Sequence, residues 1–266
     1  MYPVLFKLGH FTLRSYGVMI ATAFIVGLYL ARKEARRKGI GEENIVNFSL
    51  YALIAGIVGA RLYYIIFYDL SNYLSHPAEI FSIWKGGLAI HGGIIGGLLT
   101  AIWFAKRQKI SFWKLSDTLA PSLIIGQAIG RIGCFLIGGA YGTPTQLPWG
   151  IVFPKGTPAS FAYGSQPLHP TELYEMLLDF SIFLFLWKWR KKGKYDGYLF
   201  LLYLILYSGI RFFVEIFRGD SLYIWGTSLK TAQVIGILII VISLLIMRFL
   251  SSSKRRNDKG QNPNDK

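Results

Sequence analysis

The chain has 266 residues, 53% of them hydrophobic and 16% aromatic, with a mean hydropathy of +0.41. These values exclude an ordinary soluble domain and point to an integral membrane protein. The formal net charge of +15 invites a nucleic-acid reading, but the placement of that charge along the chain argues against it.

The N-terminal stretch MYPVLFKLGHFTLRSYG lacks a basic region followed by a short apolar core and a small-residue cleavage site, so no cleavable signal is expected. Seven apolar windows then approach the roughly 20 residues a spanning helix needs. They fall at 15–31, 45–67, 87–105, 117–139, 171–189, 197–218 and 231–250. The predicted fold is all-α and polytopic, with residues 1–250 forming a seven-helix transmembrane domain. The polar, charged stretch 251–266 is predicted to be a disordered tail.

Of the 29 Lys and Arg, 20 lie in 32–38, 106–114, 188–194 and the tail from Arg248, which seven spans place on one side. Lys7, Arg14, Lys85, Lys155 and Lys230 occupy the opposite loops. The positive-inside rule then predicts an external N-terminus and a cytoplasmic C-terminus. The loops 68–86 and 140–170 fall outside, and the second, rich in Gly, Pro and aromatic residues, is expected to form a small cap. One cysteine, Cys134, leaves no internal disulfide, and no cluster has metal-ligand spacing, so neither metal nor cofactor is expected.

The remaining four arginines lie within spans or at their ends: Arg61, Arg131, Arg211 and Arg218. Guanidinium stays charged, and burying it at membrane depth costs at least a few kcal/mol. With the predicted topology, all four fall in the outer half, as do Tyr16, His91, Tyr207 and Glu215. Arg211, Glu215 and Arg218 are spaced i, i+4, i+7 and share a helical face, with Tyr207 one turn further in. Glu172, Glu175 and Asp179 repeat at i, i+3, i+7. They fit either a helix N-terminus after Pro170 or a set that orients the arginines.

Plain structural readings compete at each position. Arg211 and Glu215 fit an ion pair within one helix, Arg218 a snorkelling side chain, Arg61 a loop brace and His91 a packing histidine. The glycines around His91 and Arg131 fit close helix packing. Arg131 is the hardest to explain this way, because no carboxylate lies within a turn of it. Taken together, the residues predict a polar cavity toward the outer leaflet that grips a phosphate through paired arginine hydrogen bonds.

The run GQAIGRIGCFLIGGAYGTPT at 126–145, with HGG at 91–93, HPTELYE at 169–175 and RFFVEIFR at 211–218, resembles the prolipoprotein diacylglyceryl transferase family. SYG at 15–17 and GARLYY at 59–64 also fit, so the resemblance spans nearly the whole chain except the tail. It implies an enzyme of the bacterial plasma (inner) membrane that moves the diacylglyceryl group of phosphatidylglycerol to the lipobox cysteine of a preprolipoprotein. A thioether forms and glycerol phosphate leaves. By the same resemblance Arg131 and Arg211 hold the lipid phosphate, His91 is a candidate base, and Tyr207 is functionally important. Tyr16, Arg61, Gly142, Glu215 and Arg218 are implied to bind substrate. Two positions depart from the family pattern: Cys134 stands where many members carry asparagine, and Gly139 where some carry glutamate. Any role of an amide or an acid at those points does not transfer.

In the implied reaction a thiolate attacks the glyceryl carbon and the departing phosphate gains charge, which fixed cations stabilise. The rival reading is a transporter or channel for an anionic solute. Against it stand the odd number of spans, the lack of a duplicated half, and polar residues confined to one side.

Overall fold

The computed structural model describes residues 1, 3–9 and 11–260. It is all-α, with helices α1 Ser15–Arg37, α2 Glu42–Tyr68, α3 Leu70–Ser75, α4 Ile90–Arg107, α5 Phe112–Ile137, α6 Pro158–Tyr163, α7 Thr171–Trp189, α8 Tyr198–Phe217 and α9 Thr231–Gly260. Two short antiparallel hairpins accompany them, β1 Val4–Leu8 with β2 Phe11–Arg14 and β3 Ile151–Val152 with β4 Pro167–Leu168.

A long helix occupies each of the seven apolar windows. Among the described residues, 5 helices are long and apolar enough to cross a membrane: α1, α2, α5, α8 and Thr231–Lys254 of α9. The other two long helices, α4 and α7, do not meet that measure. Gly92, Gly93, Gly96 and Gly97 dilute α4, while Glu172, Glu175, Asp179 and Lys188 charge α7. At the far end α9 runs on to Gly260, so 251–260 are helical where composition predicted disorder. Lysine and arginine are good helix formers and are favoured near a helix C-terminus. Residues 261–266 of that tail lie outside the described residues.

The helices divide into two compact units, one comprising Met1–Leu30 and Leu119–Lys266, the other Ala31–Thr118, with the boundaries inside α1 and α5. In the Ala31–Thr118 unit, α2 packs on α4 through bare backbone. A Cβ at Gly92 would lie 2.1 Å from the Gly59 carbonyl oxygen, and one at Gly96 would lie 2.3 Å from that of Ala55. Further along the same pair the contact is aromatic, with Phe48 edge-on to Phe104 at 5.6 Å and Tyr51 edge-on to Trp103 at 5.6 Å. Lys38 pairs with the buried Asp117 at 3.0 Å and ties the segment after α1 to the start of α5.

The other unit is built on α5, α7, α8 and α9. Ala120, Ile124, Ile182, Leu186, Leu199 and Tyr203 form its apolar core. Gly236 of α9 rides over Ser208 of α8, where an added Cβ would stand 3.3 Å from the Ser208 carbonyl oxygen. The 138–170 segment has its own small core of Phe153, Ala159 and Leu168, and Thr157 and Ser160 cap the start of α6 reciprocally.

Gly92→Ala drives a methyl group into the Gly59 carbonyl and is expected to destabilise the protein by about 1–3 kcal/mol, the usual cost of overpacking. Gly97, which has nothing within 4 Å of an added Cβ, is expected to accept alanine with little change. Thermal unfolding of the two variants in detergent checks the contrast.

Candidate functional site

Within the larger unit, α7 and α8 run antiparallel and turn their polar stripes toward each other. Residues one turn apart share a face of a helix, so Glu172, Glu175 and Asp179 line α7, and Tyr203, Tyr207, Arg211 and Glu215 line α8. All three acids of α7 are buried. Arg131 of α5 enters between the stripes, and Arg218 closes the end of α8.

Glu175 is the shared acceptor. Arg131 Nε lies 2.6 Å from its Oε2, Arg211 Nη1 donates to its Oε1 at 2.8 Å, and Arg218 Nη1 stands 3.7 Å from Oε2. Glu215 forms a second node, with Arg211 Nη2 at 2.7 Å and Arg218 Nε at 3.8 Å from its Oε2. Arg218 also donates two parallel hydrogen bonds to Asp220, at 2.9 and 2.7 Å. Glu175 itself is 1% exposed, so the pairing takes place where solvent screens little, and a lone charge there would be costly. The three guanidinium groups therefore converge.

Arg131 is the least committed of them. Its one ion-pair partner among the described residues is Glu175, whereas a guanidinium carries five N–H donors. Cys134 and Tyr16 lie within its electrostatic reach. Tyr16 packs on Gly133, where an added Cβ would stand 3.1 Å from its ring. Tyr207 interacts with Arg131, Glu175, Asp179 and Arg211, and its ring stacks on Tyr203 at 6.0 Å. The Tyr203 hydroxyl donates to Gln127 Oε1 at 3.1 Å.

The end of the cluster is stitched by backbone. Gly142 N–H donates to the His169 carbonyl at 3.1 Å, Thr143 N–H to that of Phe217 at 2.8 Å, and Gly219 N–H to that of Tyr141 at 3.0 Å. A Cβ on Gly142 would meet the His169 carbonyl oxygen at 2.4 Å. Only glycine lets the strand pass between His169 and Arg218, which gives Gly142 a structural part that holds Arg218 in place. Lys230 Nζ donates to the carbonyls of Glu215, Ile216 and Arg218, capping the C-terminus of α8 with a cation. His169 accepts or donates at 3.2 Å to the Tyr174 hydroxyl. Partial desolvation keeps its pKa below the ordinary histidine value, so it is neutral near pH 7.

Two candidates belong to the Ala31–Thr118 unit and are described there alone. Arg61 is 5% exposed, and its guanidinium is spent on loop carbonyls. Nε donates to Ile80 at 3.0 Å, Nη1 to Gly86 at 2.7 Å and Gly87 at 3.1 Å, and Nη2 to Glu79 at 2.6 Å, with Tyr73 beneath it at 4.9 Å. This is the geometry of the loop brace. His91 is exposed and stacks on Tyr63 at 5.6 Å.

Sequence reasoning left Glu175 undecided and passed over Asp220. The i, i+3, i+7 stripe contained the signal for Glu175, because Arg131 has no acid within a turn of it on its own helix and needs one from elsewhere. Asp220 is visible only as a carboxylate two residues beyond Arg218. Among the described residues no group of His, Cys, Asp and Glu is arranged to hold a metal ion.

The family model for prolipoprotein diacylglyceryl transferase matches residues 3–249. A protein of Trichormus variabilis named phosphatidylglycerol--prolipoprotein diacylglyceryl transferase is 41% identical over 95% of this chain and 91% of its own length. Proteins of the same name from Bacillus velezensis and Halalkalibacterium halodurans are 40% and 42% identical, over 93% and 91% of this chain and 91% and 84% of their own lengths.

Glu175→Gln removes the charge that several arginines share and is expected to cost about 3–5 kcal/mol, as for a buried ion pair that loses one partner. Thermal unfolding in detergent reads the loss, and Glu175→Asp, which keeps the charge, is expected to lose less.

Proposed function

The chain belongs to the prolipoprotein diacylglyceryl transferase family, and we propose that the arginine cluster around Glu175 is where its reaction takes place. The enzyme is a transferase that moves the diacylglyceryl group of phosphatidylglycerol to a prolipoprotein. The acceptor in our reading is the thiol of the lipobox cysteine, and the products are a thioether and glycerol phosphate.

The observation that carries the site is the convergence of Arg131, Arg211 and Arg218 on one buried carboxylate. Their positive charge is fixed before substrate arrives, so little reorganisation is needed as charge builds on the departing phosphate. Arg131 and Arg211 take the phosphate oxygens, Arg131 through donors not turned to Glu175, and Glu215 holds Arg211 from behind while drawing in Arg218. The arginines accelerate the step only insofar as their contacts strengthen toward the transition state. Tyr207 orients the phosphate from the inner side, and Tyr16 borders the place next to Arg131 and Cys134.

We place the protein in the bacterial inner membrane with seven spans, the N-terminus outside and the C-terminus in the cytoplasm. The long helix in each apolar window and the one-sided lysines and arginines support this arrangement. The cluster then opens toward the outer leaflet, the 140–170 segment caps it from outside, and both substrates reach it from the membrane. No observation on the structure favours an anion transporter.

Arg131→Ala and Arg211→Ala are each expected to slow transfer by about 100-fold or more, the scale for losing one donor to a developing anion. Incubation with phosphatidylglycerol and a lipobox peptide, followed by mass analysis of the peptide, reads the diacylglyceryl adduct. Near-normal turnover by either variant contradicts the site. In the same assay Cys134→Ser is expected to keep substantial activity, because a thiol in an apolar helix is a poor covalent carrier.

A further inference from the structure

We propose that Asp179 is the proton acceptor for the substrate thiol, reached through the hydroxyl of Tyr207. This rests on the reaction and the site assigned above. The chemistry requires an acceptor: when sulfur attacks the glyceryl carbon its proton has to leave, and three arginines beside the reacting atoms offer none.

Of the carboxyls around the cluster, those of Glu175, Glu215 and Asp220 are engaged by guanidinium groups. Glu172 and Asp179 are 0% exposed, and neither has a hydrogen-bond partner for either carboxyl oxygen among the described residues. Glu172 stands in the first turn of α7, where the helix terminus itself favours an acid. Asp179 is two turns further in, where no such reason applies. A buried polar group without a hydrogen bond is costly, and its persistence marks a group whose partner changes during the work of the protein.

The surroundings of Asp179 suit that use. Within its electrostatic reach are Glu175 on α7, Arg131 on α5, and Arg211, Tyr207 and Tyr203 on α8. Tyr207 lies within electrostatic reach of Arg131 and Arg211 and of Asp179 alike, which makes its hydroxyl the relay between the phosphate place and that carboxyl. Its stacking on Tyr203, which is fixed in turn by Gln127, keeps the ring from swinging away.

The step balances as follows. A sulfur–carbon bond forms at the glyceryl CH₂, the bond from that carbon to the phosphate oxygen breaks, and its electron pair leaves on the phosphate. The thiol proton passes to Tyr207 as Tyr207 hands its own to an Asp179 carboxylate oxygen. The departing glycerol phosphate, now a monoester, collects that proton on release, and Asp179 is reset.

The test follows the pH profile of transfer to a lipobox peptide by the full-length protein in phosphatidylglycerol vesicles. Asp179→Asn keeps the shape and removes the acceptor. It is expected to run about 100-fold or more below wild type near pH 7, the scale of a general base. Its rate should then rise about 30-fold by about pH 9.5, as a thiol with a pKa of about 8.5 ionises unaided. Tyr207→Phe, which interrupts the relay without disturbing the ring, is expected to show the same alkaline rescue and serves if the Asn variant does not fold. A wild-type rate near pH 7 in either variant, or a loss that stays constant with pH, overturns the proposal. Adduct formation by wild type in the same vesicles reports on the transfer reaction itself, so failure of that reading shows separately.

Discussion

The cluster depends on one buried carboxylate that binds cations from two other helices. Guanidinium cannot shed its proton, and where solvent screens little each of Arg131, Arg211 and Arg218 demands a partner. Glu175 meets that demand for Arg131 on α5 and Arg211 on α8, and reaches toward Arg218 at the end of α8. It thereby holds three positive groups at one place without neutralising each one separately. A pair confined to one helix, such as Arg211 with Glu215, satisfies a charge but builds no site.

Backbone does the rest of the positioning. Gly142 lets the segment after α5 hydrogen-bond between His169 and the end of α8, and Arg218 lies in that bridge. A side chain there would open the gap that keeps the arginine in reach of Glu175. Lys230 capping the α8 carbonyls and Asp220 gripping Arg218 fix the same end by charge. Arginines held this firmly lose little freedom on binding an anion, which is the condition for stabilising charge as it develops.

Much of this arrangement was legible in the sequence. Apolar windows located all seven long helices, of which five are long and apolar enough to cross a membrane among the described residues. The i, i+4, i+7 spacing of Arg211, Glu215 and Arg218 placed them on one face. Which acid completes the group was not legible, because pairing between α5 and α7 depends on how helices cross rather than on spacing within either one. Glu175 thus stayed open between a helix-terminus reading and an orienting one. Arg61 shows the converse: depth and charge resembled those of the others, but only coordinates reveal that four loop carbonyls consume its donors. The tail misled for a third reason, since polar composition argues against a packed core and says little about whether a helix, once started in α9, stops.

In the proposed reaction phosphatidylglycerol presents its phosphate to Arg131 and Arg211 beside Glu175. The most direct measurement is to photo-crosslink the enzyme with phosphatidylglycerol that carries a reactive headgroup and to map the labelled peptides by mass spectrometry. Label concentrated around Arg131 on α5 and from Tyr207 to Arg218 on α8 is the result expected. Label confined to the Ala31–Thr118 unit, with α5 beyond Leu119 and α8 unmarked, would contradict it.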